Sequence, residues 1–313
     1  MLALLLSGCD APQKGLEKAT LSLDWVPNTN HTGFYTALEK GWYAEEGIDL
    51  NIQIPSDPSA ALKQVAAGQT EFGVSFQEEL TIARSTGIPV ISIGTIIQHN
   101  TSAFAVLVDS GITRPRDFEG KLFASSGLPI EKPILSAMMA CDGGDINKVE
   151  FVDVGFDLLP ALFGKHVDIV WLFEGWDGIN AGLMGQELTT FPLYGDCVPD
   201  YYTPVVVAGE ATLKDKSDLV TRFMRATARG YEYAAANPAE AADILLKHAP
   251  ESDAELVRAS QVWISPRYID DASAWGQQKP KVWQAFTDWM VAQGLLEKPI
   301  DTNAAFTNDY LPK

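Results

Sequence analysis

The chain has 313 residues, which is long enough for two domains with a substantial hydrophobic core. Its 23 lysines and arginines stand against 41 aspartates and glutamates, so the formal net charge is −18. A surface this acidic repels nucleic acid and anionic membranes, and no basic cluster is present to attract a strongly anionic ligand. We therefore predict no nucleic-acid partner.

The amino terminus, MLALLLSGCD, is an apolar run that ends in Leu6-Ser7-Gly8-Cys9. It resembles a bacterial lipobox, in which the cysteine becomes the lipidated first residue of the mature protein. The run is too short to span a bilayer and lacks the basic start of a signal peptide, so we expect the true start codon to lie upstream. Residues 1–18 are then a signal remnant and tether, with lipid anchoring through Cys9 in the periplasm or at the cell surface. The alternative is an accidental apolar end with a stray cysteine.

Strands and helices alternate after this tether, as in βα units that build a mainly parallel sheet. The pattern predicts strands at 20–25, 48–54, 72–75 and 90–97, and helices at 33–46, 58–67 and 78–86. A strand at 104–108 then leaves this first unit.

A second α/β unit follows and closes at 189–192. Its predicted strands are at 121–124, 149–152 and 169–172, and its helices at 133–140, 158–163 and 176–184. A β-rich run at 205–208 looks like a return strand, and four helices fill 219–237, 238–248, 253–263 and 281–293. Two strand-like crossings between the units indicate a hinge that lets two lobes close on a ligand. We predict an α/β fold with lobe 1 at 19–105 plus 206–313 and lobe 2 at 106–205.

The most informative segment is LSLDWVPNTNHTGFYTALEKGWYAEEGIDL, at 21–50, which predicts a strand, a polar turn and a helix. In α/β folds this arrangement places a ligand at the carboxyl end of the strand. Four side chains would crowd that spot and suit a flat, neutral molecule: Trp25, Asn28, His31 and Tyr35. Core packing for Tyr35, turn chemistry for Asn28 and a helix cap or satisfied polar group for His31 remain open alternatives. No second histidine follows four residues after His31, so we predict no metal site.

The chain as a whole resembles a periplasmic binding protein of the type II fold. More narrowly, it resembles the family of bacterial binding proteins for thiamine pyrimidine precursors and of fungal pyrimidine-precursor synthases. The segments that carry the resemblance are DWVPNTNHTGFYTALEKGWYAEEGIDL at 24–50, AAGQTEFGVS at 66–75, GKHVDIVWLFEGWDGI at 164–179, PKVWQAFTDWMVAQGLL at 280–296 and FTNDYLP at 306–312. Broader relatives bind alkanesulfonates, nitrate-type anions and riboflavin.

The resemblance implies a solute-binding protein of an ABC importer, with a membrane permease as partner and a formylaminopyrimidine or hydroxymethylpyrimidine as ligand. It places Glu174 against the pyrimidine, where a carboxylic group can pair with a ring nitrogen and its neighbouring amino group. A charge at a helix amino terminus is the alternative for Glu174, and core packing is the alternative for Trp176, which would flank the same ring. Weaker ligand-binding candidates at strand ends are Ser75, Gln77, Gln98, Ser125, Ser126 and Tyr202.

Catalysis is disfavoured by the stretch VSFQEEL at 74–80. The fungal synthases consume their own lysine and histidine and carry a cysteine-rich run, whereas this stretch has neither residue and Cys197 stands alone. No P-loop, no dinucleotide-binding glycine motif and no nucleophile elbow is present. We predict no catalytic residue, no cofactor and a monomer; riboflavin or a sulfonate is the alternative ligand, and a synthase the less favoured alternative function. No arginine or lysine falls at the strand ends, which argues against a sulfonate.

Export implies an oxidising compartment for the two remaining cysteines, Cys141 and Cys197. Their separation in sequence says nothing about their distance, so a disulfide and a pair of buried thiols both remain open.

Overall fold

Two β-sheets with matching strand order form the framework of the chain, seen in a computed structural model that describes residues 15–55, 60–155 and 157–313. The first sheet has the order β2-β1-β3-β10-β4. Strand β1 pairs in parallel with β2 and β3, whereas β10 runs antiparallel between β3 and β4. The strand bounds are β1 Glu17–Ser22, β2 Ile48–Gln53, β3 Phe72–Ser75, β4 Val90–Thr95 and β10 Val205–Gly209. Because β1 begins at Glu17, it takes in the end of the predicted tether; Cys9 lies outside the described residues.

The second sheet repeats this plan. Strand β5 lies antiparallel between β8 and β9, and β6 pairs in parallel with β7. A parallel bridge from Phe123 to Ile169 joins β6 to the start of β8, so the order becomes β7-β6-β8-β5-β9. The strand bounds are β5 Ser102–Leu107, β6 Leu122–Ser125, β7 Glu150–Asp153, β8 Val170–Phe173 and β9 Leu188–Pro192.

Helices follow most of the predicted segments. Their bounds are α1 Thr32–Glu39, α2 Trp42–Glu45, α3 Ala60–Ala66, α4 Gln77–Ser85, α5 Glu131–Cys141, α6 Leu158–Phe163, α7 Ile179–Leu183, α8 Glu210–Asp215, α9 Ser217–Ala236, α10 Pro238–His248, α11 Ala254–Ile264 and α12 Pro280–Ala292. The predicted helix at 33–46 divides at Gly41, which takes a left-handed φ of 74° and so ends α1. No helix within the described ranges is both long and apolar enough to cross a membrane.

The core of the first lobe fixes the helix that follows β1. Two glycines allow α1 and α9 to approach closely: a Cβ on Gly230 would lie 2.1 Å from the Gly33 carbonyl oxygen. Phe223, also on α9, stacks its ring on Phe72 of β3 with centroids 3.7 Å apart. Packing this tight leaves one position for α1 relative to the sheet, and therefore one position for the turn that precedes it.

The crossings between the lobes are irregular segments rather than the predicted strands, and the predicted lobe boundaries need correction. Strand β5 belongs wholly to the second sheet, and β10, including Val205, belongs to the first. The chain therefore crosses at 96–101 and 193–204. The predicted boundaries fell inside β5 and β10 because each of these strands lies next to a crossing.

The last helix, α12, packs on both lobes, although the sequence placed it in lobe 1. Near its start, Trp283 stacks on Phe306 with ring centroids 5.5 Å apart. One turn later, Phe286 stacks on Tyr201 of the second crossing at 4.2 Å and joins the core of the second lobe. An amphipathic pattern shows which face of a helix is buried, but it does not show which lobe buries it.

Cys141 and Cys197 form a disulfide, which settles the alternative left open by the sequence. The bond joins the last residue of α5 to the second crossing, 56 residues further along the chain. It therefore ties the crossing to the body of the second lobe.

Loss of this disulfide should lower stability, because it frees a long loop in the unfolded chain. For a loop of this length the chain-entropy relation gives about 4 kcal/mol. We expect a Cys141→Ser, Cys197→Ser double variant to unfold at a lower denaturant concentration by up to that free energy, measured by circular dichroism in guanidinium. Wild-type protein unfolded under reducing conditions is the control and should behave like the double variant; equal midpoints for oxidised wild type and the variant would contradict the prediction.

Candidate ligand-binding site

The turn after β1 is held by its own polar side chains. His31 is fully buried; its Nε2 lies 2.6 Å from Oδ1 of Asp24, and its Nδ1 accepts a 3.2 Å hydrogen bond from the Asn28 backbone N–H. Since Nδ1 accepts, Nε2 carries the hydrogen and donates to the Asp24 carboxylate. Asn28 accepts from the Asn30 backbone N–H at 2.9 Å and donates to the Val26 carbonyl at 3.1 Å. Both side chains thus shape the turn, as the satisfied-group and turn alternatives stated, and the half-buried Trp25 is the aromatic face that the turn offers.

Tyr35 lies in the helical layer and not with the turn residues. Its ring stacks on His248 of α10 with centroids 5.1 Å apart, and its side chain is buried. Burial, with a smaller contribution from Glu251, raises the pKa of Tyr35 to about 12. The core-packing alternative therefore describes Tyr35.

Helix α11 brings the two predicted ligand segments together, and sequence reasoning missed it. The hydroxyl of Ser260 is fully buried, lies 2.6 Å from the Thr29 hydroxyl and donates to the carbonyl of Gly175. One hydroxyl hydrogen cannot serve both partners, so Thr29 donates to Ser260. Gly175 also lies against the ring of Trp263, where a Cβ would be 2.6 Å from a ring carbon. The turn of the first lobe and the turn of the second lobe thus meet at one side chain.

The turn after β8 is a π-helical turn, Glu174–Gly178, where the sequence predicted an ordinary helix. The backbone N–H of Glu174 donates to the Thr101 carbonyl in the first crossing at 2.9 Å. Its carboxylate accepts from the Thr190 hydroxyl at 3.4 Å, which is long for two oxygens, so the group keeps hydrogen-bonding capacity for a ligand. Trp176, next along the turn, is half-buried and packs on the core of the first lobe. Burial raises the pKa of Asp177, in the same turn, to about 6.

An aromatic ring and a cation near the hinge were also missed. The guanidinium of Arg267 lies 3.5 Å from the ring centroid of Trp263, and its backbone carbonyl accepts from the Gln98 N–H at 3.2 Å. The prediction from the sequence concerned cations only at strand ends, whereas Arg267 lies in the 3-10 turn Ser265–Tyr268 that follows α11. The only signal in the sequence is a tryptophan four residues before an arginine, a spacing that places both on one helical face.

Ser125 and Ser126 do not face an open site, because Glu131 occupies both. The Ser125 hydroxyl donates to one carboxylate oxygen at 2.6 Å. The hydroxyl and the backbone N–H of Ser126 donate to the other oxygen at 2.5 and 2.9 Å. Glu131 itself is buried at the first residue of α5. The expectation that the two serines present their donors to a ligand tail is therefore corrected.

The remaining candidates hold the hinge. Gln77 grips Tyr202 through both backbone groups: its N–H donates to the Tyr202 carbonyl at 3.1 Å, and its side-chain oxygen accepts from the Tyr202 N–H at 2.7 Å. The Tyr202 hydroxyl accepts from the Lys279 N–H at 2.8 Å. The Gln98 side chain donates to the Gln277 carbonyl at 3.2 Å, and the Ser75 hydroxyl donates to Glu79 at 2.6 Å. The Gln77, Gln98 and Tyr202 contacts fix the crossings, whereas the Ser75 contact lies within the first lobe. Nε2 of Gln77 and Oε1 of Gln98 are buried and have no hydrogen-bond partner among the described residues, so these two atoms keep hydrogen-bonding capacity.

Metal binding has no support in the part of the chain that the structure describes. No group of three or more His, Cys, Asp or Glu side chains there is arranged to hold a metal ion.

Comparison with known proteins identifies the family to which the chain belongs. A model of the NMT1/THI5-like family matches residues 28–241. The chain belongs to this family. It is 28% identical to the formylaminopyrimidine-binding protein of Halalkalibacterium halodurans, over 98% of this chain and 96% of that protein. It is 26% identical to the riboflavin-binding protein RibY of Chloroflexus aurantiacus, over 100% of this chain and 96% of that protein.

A solved structure confirms the predicted fold. The alkanesulfonate-binding protein SsuA from Xanthomonas axonopodis pv. citri, bound to MOPS, superimposes with a TM-score of 0.72 over 94% of this chain and 99% of that one. The sequences are only 13% identical, so this likeness shows the type II periplasmic binding protein fold alone. The two sequence relatives are both ligand-binding proteins, which confirms the prediction of a substrate-binding role rather than an enzymatic one.

Glu78, beside Gln77 in the hinge, should make stability depend on pH. It is buried, one of its oxygens has no hydrogen-bond partner among the described residues, and burial raises its pKa to about 8 from an ordinary 4.5. The folded protein thus binds this proton more tightly than the unfolded chain, so the stabilisation is complete below pH 4.5 and is lost as the pH rises towards 8.

At about 1.4 kcal/mol per pKa unit, we expect wild type to lose on the order of 2–4 kcal/mol relative to Glu78→Gln between pH 5 and 9, measured by urea unfolding. Glu297→Gln, which removes an exposed carboxylate, should follow wild type. Parallel pH profiles for wild type and Glu78→Gln would refute this role for Glu78.

Proposed function

We propose that this protein is the extracytoplasmic solute-binding component of an ABC importer and that it captures a thiamine pyrimidine precursor of the formylaminopyrimidine type. The observation that carries the proposal is the meeting of the Trp25 turn and the Glu174 turn at Ser260. These contacts, with the half-buried rings of Trp25 and Trp176 in the two turns and the weakly engaged carboxylate of Glu174, support a site at the junction of the lobes. The formylaminopyrimidine-binding protein, 28% identical over nearly the whole chain, supports this ligand class.

The chemistry of the ligand fits these groups. An aminopyrimidine shows a ring nitrogen and an amino group side by side, and one carboxylic group can bond both. Its flat ring suits the faces of Trp25 and Trp176, and such ring contacts add about 0.5–1.5 kcal/mol to the burial of apolar area. Closure of the lobes would then present a surface that the permease recognises.

Riboflavin is the second candidate, because the riboflavin-binding protein RibY is nearly as similar. Its larger ring system also requires aromatic stacking. A yellow colour and visible absorption in freshly purified protein would favour it over the pyrimidine.

Glu174 supplies the direct test of the pyrimidine. The paired contact needs an O–H that donates to the ring nitrogen and an oxygen that accepts from the amino group, and Glu174→Ala removes both. Two hydrogen bonds at about 0.5–1.5 kcal/mol each make Glu174→Ala weaken binding of formylaminopyrimidine by about 10- to 100-fold. Isothermal titration calorimetry measures this, with riboflavin titrated in parallel. Glu150→Gln, on the exposed edge strand β7, is the matched control and should bind as wild type does. No heat with wild type and formylaminopyrimidine would sink the pyrimidine proposal; equal affinities for wild type and Glu174→Ala would remove Glu174 from the site.

We further propose that Cys9 carries a lipid anchor and that the anchored protein acts as a monomer without nucleic-acid partners. The support is the lipobox-like run before Cys9 and the net charge of −18.

The anchor is tested in a bacterial host that expresses the chain behind a complete lipoprotein signal peptide. Wild type should fractionate with membranes and incorporate labelled palmitate, because two or more acyl chains hold a protein stably to a bilayer. Cys9→Ser should lose both properties, while Cys141→Ser, which retains the lipobox, should keep them. Label on the Cys9→Ser protein would rule out this site of attachment.

A further inference from the structure

We propose that Glu131 is a specificity-determining residue: its carboxylate fills the place that an anionic ligand group would take in the second lobe and so rejects phosphorylated or sulfonated ligands. This rests on the proposed function, because it concerns the choice among ligands of the same site. Three donors of the loop after β6 converge on Glu131, two on one oxygen and one on the other, at 2.5–2.9 Å.

The loop has the form of an anion site. The strand β6 ends at the first of two serines, a glycine follows, and an 11-residue helix begins at Glu131. The donors of this site are the loop serines, because the Glu131 N–H donates to the Leu128 carbonyl at 3.2 Å and Pro133 has no N–H. The anion held there belongs to the chain itself. Glu131 is only 3% exposed, so a ligand would have to displace a buried, hydrogen-bonded carboxylate to reach the same donors. The loop N–H of Gly127 is also used, since it donates to the Ser125 hydroxyl at 3.0 Å.

This loop lies at the same sheet edge as Glu174. Strand β6 is joined in parallel to the start of β8 through Phe123 and Ile169, so both strands end at one edge. That edge thus carries three carboxyl side chains, on Glu131, Glu174 and Asp177. An oxyanion at this edge is therefore penalised twice, by repulsion from these carboxylates and by the lack of free donors in the serine loop. A neutral hydroxyl or formamide suffers neither penalty.

The experiment compares two ligands that differ only in charge, hydroxymethylpyrimidine and its phosphate monoester, by calorimetry. We expect wild type to bind the alcohol at least about 100-fold more tightly than the ester. Glu131→Ala frees the three donors, and Glu131→Gln removes the charge at nearly constant volume. Each should shift the ratio of the two affinities towards the ester by at least about tenfold. Glu150→Gln removes one charge from the far end of the neighbouring strand and should leave the ratio unchanged.

A wild type that binds the ester as tightly as the alcohol overturns the proposal, and so does an unchanged ratio in folded Glu131 variants. If neither pyrimidine binds wild type, the proposed function fails, and 1-propanesulfonate and inorganic phosphate then test Glu131 by themselves. Binding of these anions by Glu131→Ala but not by wild type supports the role of Glu131 in rejecting anionic ligands. Equal anion binding by the variant and wild type refutes this role. If both variants unfold, the wild-type ratio of alcohol to ester decides alone.

Discussion

The hydroxyl of Ser260 is the contact on which the site depends. It accepts from Thr29 in the first lobe and donates to Gly175 in the second, so a single side chain sets the separation of the two ligand-facing turns. The contact works because each turn is rigid by its own means. The hydrogen bond between His31 and Asp24 holds the turn of the first lobe. The hydrogen bond from the Glu174 N–H to the Thr101 carbonyl holds the π-helical turn of the second lobe. The two turns are therefore preformed surfaces whose relative position is set by the Ser260 contact.

Much of the framework was visible in the sequence because local periodicity reports it. The sequence predicts ligand-facing positions at the turn 24–31 and at the carboxyl end of β8, and the structure brings these two turns together at Ser260. The roles of individual residues were not, because Asn28 and His31 compete for backbone groups within hydrogen-bonding reach, and short polar side chains in turns commonly do so. Ser260 and Thr29 lie 231 residues apart, and no local pattern reports such a pairing. The Cys141–Cys197 bond escaped for the same reason.

Negative charge acts at two scales in this protein. The net charge of −18 sets a weak, screened repulsion of anions over the whole surface, which extends only about 8–10 Å at physiological salt. At the sheet edge the charges are few, and Glu131 alone among Glu131, Glu174 and Asp177 is fully buried, with its carboxylate held by fixed donors. Positive charge is also local: the guanidinium of Arg267 stacks on the ring of Trp263, which lies near the junction of the lobes.

Helix α12 links the relative position of the two lobes to the contacts of its own aromatic side chains. Trp283 packs on the first lobe and Phe286 packs on the second. The Trp289 indole N–H donates to the Cys197 carbonyl at 3.1 Å. Any rotation of one lobe against the other must therefore change the contacts of this helix with at least one of the two lobes. A change in the angle between the lobes would therefore alter the surroundings of Trp283 and Trp289, whose side chains take part in these contacts.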